Sequence, residues 1–256
     1  MPVSYARGAY QGNGRRMTNA IRHFVTGVAS AGILLLAQAT ASFAFSDAQL
    51  TKGFEKTVFG AEYSSFGWQS KMVKKYTKPV RVYIDNRSKT DRRSQVSRFV
   101  RSLPRSIRGL DVAIVDSPAK ANYRIYIVDK AQYKKTVRQD VYRVRAMSVP
   151  GRCLVRVISG PGGIRRSDAV IVANDGDFLF KRCLVEEVLQ GLGPVNDNAG
   201  LTHSVFNDTS RHASFTKHDR YILNMLYNPK IKAGMSEKDV QTVLPAVIRD
   251  ARRQVR

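Results

Sequence analysis

The period of apolar and polar positions changes several times along the chain. Val80-Arg-Val-Tyr-Ile84 alternates with period two and predicts a strand. Leu110–Val115, Tyr123–Val128, Cys153–Ile158 and Ala169–Ala173 predict four more, rich in β-branched and aromatic residues. Between the first two, Thr90-Asp91 can cap a helix whose Val96, Phe99, Val100 and Leu103 fall at helical spacing before Pro104. The polar, basic stretch Lys130–Arg145 reads as a short helix. Ser159–Asp168, with its glycines and proline, reads as a turn or loop. Residues 45–77 show no clear period and read as an irregular lead-in to a domain spanning 78–256. Asn196–Ser214 lacks an apolar period and is expected to be a long ordered loop, which in a compact domain is often functional. Two helices close the chain. Thr216–Tyr227 stops at Asn228-Pro229, and Ser236 to about Arg253 opens on Ser236 with Asp239, with Pro245 expected to kink or break it. This order predicts an α+β domain: a mixed sheet, a buried helix on its face, and C-terminal helices.

The buried helix is Lys181–Asp197, KRCLVEEVLQGLGPVND, beginning near Asp177. At 100° per residue, Phe180, Leu184, Val185, Val188, Leu189 and Leu192 cover most of its circumference, and such a rod belongs in the interior. The remaining sector holds Glu186 and Gln190 one turn apart, Glu187 at the margin, and Cys183 among them. Buried carboxylates cost several kcal/mol unless paired, so this stripe must face a cleft or a set of donors. Three readings fit. The residues bond each other, solvent or an arginine such as Arg152, Arg156 or Arg182; they form a metal site; or they are what remains of one.

The ends and the charge extend this picture. From Met1, or from a second possible start at Met17, residues 1–44 read as a signal peptide. Arg22 and His23 precede an apolar run from Val25 to Ala39, followed by the small residues Ala41 and Ala44 where a signal peptidase could cut. The run falls short of the roughly 20 apolar residues of a membrane span. The product is therefore expected to be exported, to the periplasm or beyond. Cys153 and Cys183 are the two cysteines; in an oxidising compartment they can form one disulfide, or remain buried thiols. Lys and Arg total 43 against 20 Asp and Glu, a net charge of +23. Such a field favours anionic neighbours, including lipid surfaces and envelope polymers. Export and the scarcity of aromatic residues among the basic runs argue against nucleic acid. Oligomeric state is not legible.

EEVLQGLGPVN aligns with the metzincin-type zincin signature H-E-x-x-H-x-x-G-x-x-H, and the chain resembles zincin-like metallopeptidases on that basis. The resemblance puts Glu186, Gln190 and Asn196 at the three zinc-ligand positions, Glu187 at the catalytic position and Gly193 at the turn. The segment Arg182–Ser236, through EE-x-x-Q-x-L-G-x-x-ND and D-R-x-x-L-x-x-L-Y-x-P-x-x-x-x-G-M, also resembles a bacterial family of exported proteins classed as a domain of unknown function, from about Lys78 onward. The resemblance implies a zincin-like fold without implying activity. A zincin holds Zn²⁺ on neutral imidazoles and lets the intervening Glu take a proton from the bound water. Here no ligand position is histidine. One carboxylate and two amides make a poor zinc set, and oxygen ligands suit harder cations. The resemblance thus implies a pseudoenzyme that binds a peptide or envelope polymer in the former cleft. The alternatives are a hydrolase with oxygen-rich ligation and a basic module for anionic envelope components. A shifted site using Glu186, Glu187 and His203, with His212, His218, Asp197 or Asp208 nearby, matches no defined metal spacing. Ser159–Gly163 lacks the Gly-Lys-Ser/Thr of a P-loop, and no G-x-S-x-G elbow occurs.

Overall fold

The computed structural model describes residues 45–59, 71–209 and 211–255. The export signal read in residues 1–44 lies outside them. The elements are α1 (Asp47–Val58), β1 (Val80–Asn86), α2 (Arg93–Ser106), β2 (Val112–Ile114), β3 (Tyr123–Val128), α3 (Lys130–Thr136), a π-helical turn (Val137–Tyr142), β4 (Cys153–Gly160), β5 (Gly163–Val172), α4 (Asp177–Gln190), α5 (Lys217–Leu226) and α6 (Glu237–Gln254). The five strands form one sheet in the order β2-β1-β3-β5-β4. Four run parallel, and β4 is antiparallel to β5 at one edge. The molecule is therefore α+β around a mixed sheet, as the strand and helix order predicts.

Alternation along the strands sorts the two faces. Val80 and Val82 of β1, Tyr123, Ile125 and Ile127 of β3, and Ala169 and Ile171 of β5 enter the main core with α1, α2, α4, α5 and α6. Tyr126, Val128, Val170 and Val172 point the other way and pack under α3 and the π-helical turn with Tyr133, Val137 and Val141. A one-residue slip would exchange these sets, so the two apolar patches fix the register.

Three sequence expectations need correcting. Residues 47–58 of the supposed irregular lead-in form α1. Ser46 and Gln49 make a reciprocal capping box, and Leu50, Phe54, Thr57 and Val58 are buried. Gly53 brings this helix onto α5, since a Cβ there would lie 2.6 Å from the His218 ring. Ser159–Asp168 is mostly strand: β4 runs to Gly160, Pro161-Gly162 turns the chain, and β5 begins at Gly163 with φ +105°. Its arginines read as loop because Arg166 lies on the polar part of the second face beside Asp168, while Arg165 falls at the register shift between β4 and β5 and is exposed. Finally, α6 runs unbroken through Pro245. Pro245 and Gln241 are exposed, so water can serve the Gln241 carbonyl that loses its helical donor.

The carbonyl end of α4 abuts the sheet and meets a set of hydroxyl donors. Tyr123 Oη donates to the Glu187 and Val188 carbonyls at 2.9 and 3.1 Å, Ser167 Oγ to Gly191 at 2.7 Å, and Tyr227 Oη to Leu192 at 2.9 Å. Tyr76 Oη lies 3.0 Å from Ser167 Oγ and donates to the Asn122 carbonyl. The last carbonyls of a helix lack intrahelical donors, and here protein hydroxyls supply them. Gly191 permits the approach, because a Cβ would sit 2.0 Å from Tyr123 Oη. Residues 72–76 form a strap across the same end. Val73 exchanges backbone bonds with Met235 and Gly234, and Lys75 accepts from Ile164. The buried Lys75 ammonium donates to the Leu226 and Ile231 carbonyls and lies 5.1 Å from the Tyr227 ring centroid.

These burials set a pH dependence. Burial lowers the Lys74 and Lys75 ammonium groups from 10.5 to about 8. It raises the Tyr76, Tyr123 and Tyr227 phenols above their ordinary value of 10. Between pH 8 and 10 the unfolded chain holds lysine protons that the native state has lost, so stability rises with pH. Above about pH 10 the unfolded phenols ionise while the native ones stay protonated, so stability falls. Urea midpoints measured across this range should peak near pH 10, and Lys75→Met should flatten the rising limb. A steady decline from pH 7 would contradict the burial of these groups.

Candidate functional site

The stripe predicted on the buried helix lies on α4, with Glu186, Glu187 and Gln190 each about 5 % exposed. The helix begins after Gly176, whose φ of +94° suits glycine, and its first turn is held by Arg92, 2.5 Å from Asp177 and stacked 4.8 Å over Phe180. At the other end Gly193, φ +137°, turns the chain past the strap. A Cβ there would meet the Lys74 carbonyl at 2.2 Å, so the turn position requires glycine for both conformation and space.

Each side chain of the stripe meets protein. Arg182 lies one turn before Glu186 and pairs with it at 3.0 Å; it also donates to the Asn207 carbonyl and sits 3.9 Å from Asp208. Of the three arginines considered from sequence, Arg182 is therefore the partner. Arg152 pairs with Asp175, and Arg156 donates to the Val141 carbonyl over the Tyr142 ring. Gln190 Nε2 donates to Asp197 at 2.9 Å. Asn196 turns onto the end of α1, its amide donating to the Lys56 carbonyl at 2.8 Å and its backbone N–H to Thr57. The Glu187 carboxylate lies with Glu186 and Cys153 Sγ in a group whose atoms fall within 4.8 Å of one another.

Cys153 and Cys183 are joined as a disulfide, Cα–Cα 5.8 Å, tying edge strand β4 to the middle of α4. Closing a loop of 30 residues removes unfolded-state entropy worth roughly 3–4 kcal/mol in the chain-entropy account. The bond also occupies the sulfur beside Glu187.

The long loop after α4 is ordered by specific bonds. Asn198 N–H reaches the Phe206 carbonyl, Asn207 spans Ala199 and Leu201, and Val205 and Phe206 are fully buried. Asp219, in the first turn of α5, accepts from Ser204 Oγ, Val205 N–H and the Thr216 hydroxyl and N–H, so its buried carboxylate is satisfied by four donors. His218 is buried and contacts the Phe45 ring at 5.0 Å, with burial lowering its pKa. His203 also flanks Phe45, and His212 bonds the Thr202 carbonyl.

A metal requires ligands free to turn toward it. Among the described residues, the groups within ligand distance are Cys153, Glu186 and Glu187, and Glu186, Asp197 and Asp208; neither contains a histidine. The first has its sulfur in the disulfide. The second already has Arg182 as counter-cation and Gln190 as donor. At the zincin ligand positions, Glu186 is ion-paired, Gln190 presents its N–H₂ to Asp197, and Asn196 is engaged with α1 over 100 residues away in sequence. Zinc does not fit this set. Asp197 and Asp208 enter the cluster through the loop, a proximity that no local spacing announces.

Residues 47–246 match the family described as a protein of unknown function, DUF2927. The chain belongs to the DUF2927 family. The match begins at the first residue of α1, so this DUF2927 chain carries α1 within its family region. No curated protein matches the chain. No helix among the described residues of this DUF2927 member is long and apolar enough to cross a membrane.

The Arg182–Glu186 pair carries an energetic expectation. Removing one partner of a buried ion pair typically costs about 3 kcal/mol or more, which in a domain of this size lowers the thermal midpoint by roughly 6–12 °C. Arg182→Met should show that loss by calorimetry, and adding Glu186→Met should recover much of it. Equal stability of Arg182→Met and wild type would show that the pair is unimportant.

Proposed function

We propose that this protein is an exported, zincin-like pseudoenzyme that binds extended peptide or an envelope polymer beside its former active-site helix. The carrying observation is that all three zincin ligand positions are committed to protein partners: Glu186 to Arg182, Gln190 to Asp197 and Asn196 to Lys56. Support for the zincin-like reading comes from the mixed sheet, the antiparallel edge strand β4 ahead of the helix, and the glycine turn after it. Glu187 keeps the catalytic position of the signature, but without a metal-bound water it has no activated proton to take.

The stripe itself is packed, so it does not line an open groove. The accessible feature beside α4 is β4, which pairs with β5 on one side and with no described strand on the other. A half-buried edge strand can accept an extended chain by main-chain hydrogen bonding, with alternate side chains supplying selectivity. The disulfide to α4 holds that edge in place.

Two measurements test this reading. Purified protein should hydrolyse no peptide with added Zn²⁺, Ca²⁺ or Mn²⁺, and Glu187→Ala should change nothing; metal-dependent hydrolysis lost in Glu187→Ala would overturn it. Extended peptides selected against the protein should slow amide exchange within Cys153–Gly160. Protection confined to other elements would remove β4 as the binding edge.

A further inference from the structure

The second face of the sheet holds a site that the α4 stripe does not involve. Beyond the apolar patch under α3, a polar row crosses four strands in register: Tyr83 beside Arg124, Arg124 beside Asp168, Asp168 beside Arg156. A cavity of about 260 Å³ opens at this row, with Tyr83, Arg87, Arg124, Tyr126, Asp140 and Arg143 in its wall.

The charges in and beside the cavity do not cancel. Arg87 is held 2.8 Å from both Asp85 and Asp140 and stacks 4.9 Å over Tyr126. Asp168, buried, pairs with Arg166 at 2.7 Å. Arg124 donates one bond to the Pro118 carbonyl, but its buried Nε has no hydrogen-bond partner among the described residues. Arg143 forms no ion pair among the described residues. In the cavity wall Arg87, Arg124 and Arg143 face Asp85 and Asp140, an excess of one positive charge, and the adjoining row contributes a second through Arg156 and Arg166 against Asp168.

Arg143 also has an unfavourable backbone. It ends the π-helical turn with φ 59° and ψ 34°, and it is the one non-glycine residue with positive φ among the described residues. Glycine, asparagine and aspartate adopt that conformation readily, whereas arginine does so at a cost. A π-helical turn and a left-handed residue together are local departures that cluster at functional sites. Their result here is a guanidinium placed in the wall of a cationic cavity.

We propose that this cavity binds a phosphate monoester, with Arg124 and Arg143 as its cationic ligands. A phosphate monoester carries about two negative charges near neutral pH and several strong acceptors, which matches both the charge excess and the free guanidinium donors. The volume is slightly below the usual range for a whole small-molecule ligand, so the site takes the phosphate group and leaves the remainder outside. Lipid headgroups and soluble sugar phosphates share this chemistry.

The test titrates the full chain with inorganic phosphate, a hexose 6-phosphate and vesicles containing phosphatidic acid, by calorimetry at low salt. Saturable phosphate binding is expected, weakened about tenfold or more by Arg124→Gln and by Arg143→Gln and unchanged by Arg105→Gln on the exposed surface of α2. Arg143→Gly separates binding from folding, because it should raise the thermal midpoint by relieving the left-handed residue while it loses phosphate affinity. Tighter binding to vesicles that phosphate displaces assigns the lipid source, and tighter binding to the hexose phosphate assigns the soluble one; both support the site. Absence of saturable binding, or full affinity in Arg143→Gly, overturns it.

Discussion

A charged or amide side chain on a buried helix must be matched inside the protein, and that requirement organises the structure around α4. Arg182 on the preceding turn answers Glu186. The loop folds back to bring Asp197 to Gln190, and α1 offers its Lys56 carbonyl to Asn196. The helix end is bound by the same rule, with hydroxyls of Tyr123, Ser167 and Tyr227 meeting carbonyls that a buried helix terminus would otherwise leave bare. Arg182 belongs to α4 itself, whereas Asp197 comes from the loop, Lys56 from α1, and Tyr123 and Ser167 from the sheet, so these bonds tie sheet, loop and N-terminal helix to one rod.

Chemistry follows from the same matching. A zinc site needs ligands whose lone pairs face a common centre, and here Glu186 faces the Arg182 guanidinium while Gln190 turns its amide N–H₂ to Asp197. The polar stripe is thereby engaged in contacts that hold the fold together. The two regions proposed for partners, the edge of β4 and the cationic cavity over β1 and β3 on the second face, lie on opposite sides of β5 within the sheet.

Much of the fold was legible from composition and period, because β1 alternates apolar and polar residues, β3 and the latter half of β5 are near-continuous apolar runs buried on both faces, and most helices bury one stripe. The stripe on α4 was legible for the opposite reason, since polar residues are conspicuous on an apolar rod. Other features were hidden by competing signals. In α1, Gly53 and the Gly- and Ser-rich sequence that follows masked Leu50, Phe54 and Val58, although Ser46 and Gln49 already spelled a capping box. In β5, Arg165, Arg166 and Asp168 looked like loop residues because three charged positions stand close together beside a glycine- and proline-containing turn, although Arg166 and Asp168 pair with each other along the strand. Pairing of Asp197 with Gln190, and the placement of Arg143, depend on loop and π-turn geometry that no spacing encodes.

The central claim is that the α4 stripe is satisfied by protein and not by metal, and thermal unfolding under a zinc titration tests it most directly. A metal bound to the native state raises the midpoint progressively as its concentration passes the dissociation constant. The account predicts a midpoint that stays flat from excess chelator to excess zinc; a saturable rise that disappears in a protein altered at Glu186 and Gln190 would contradict it.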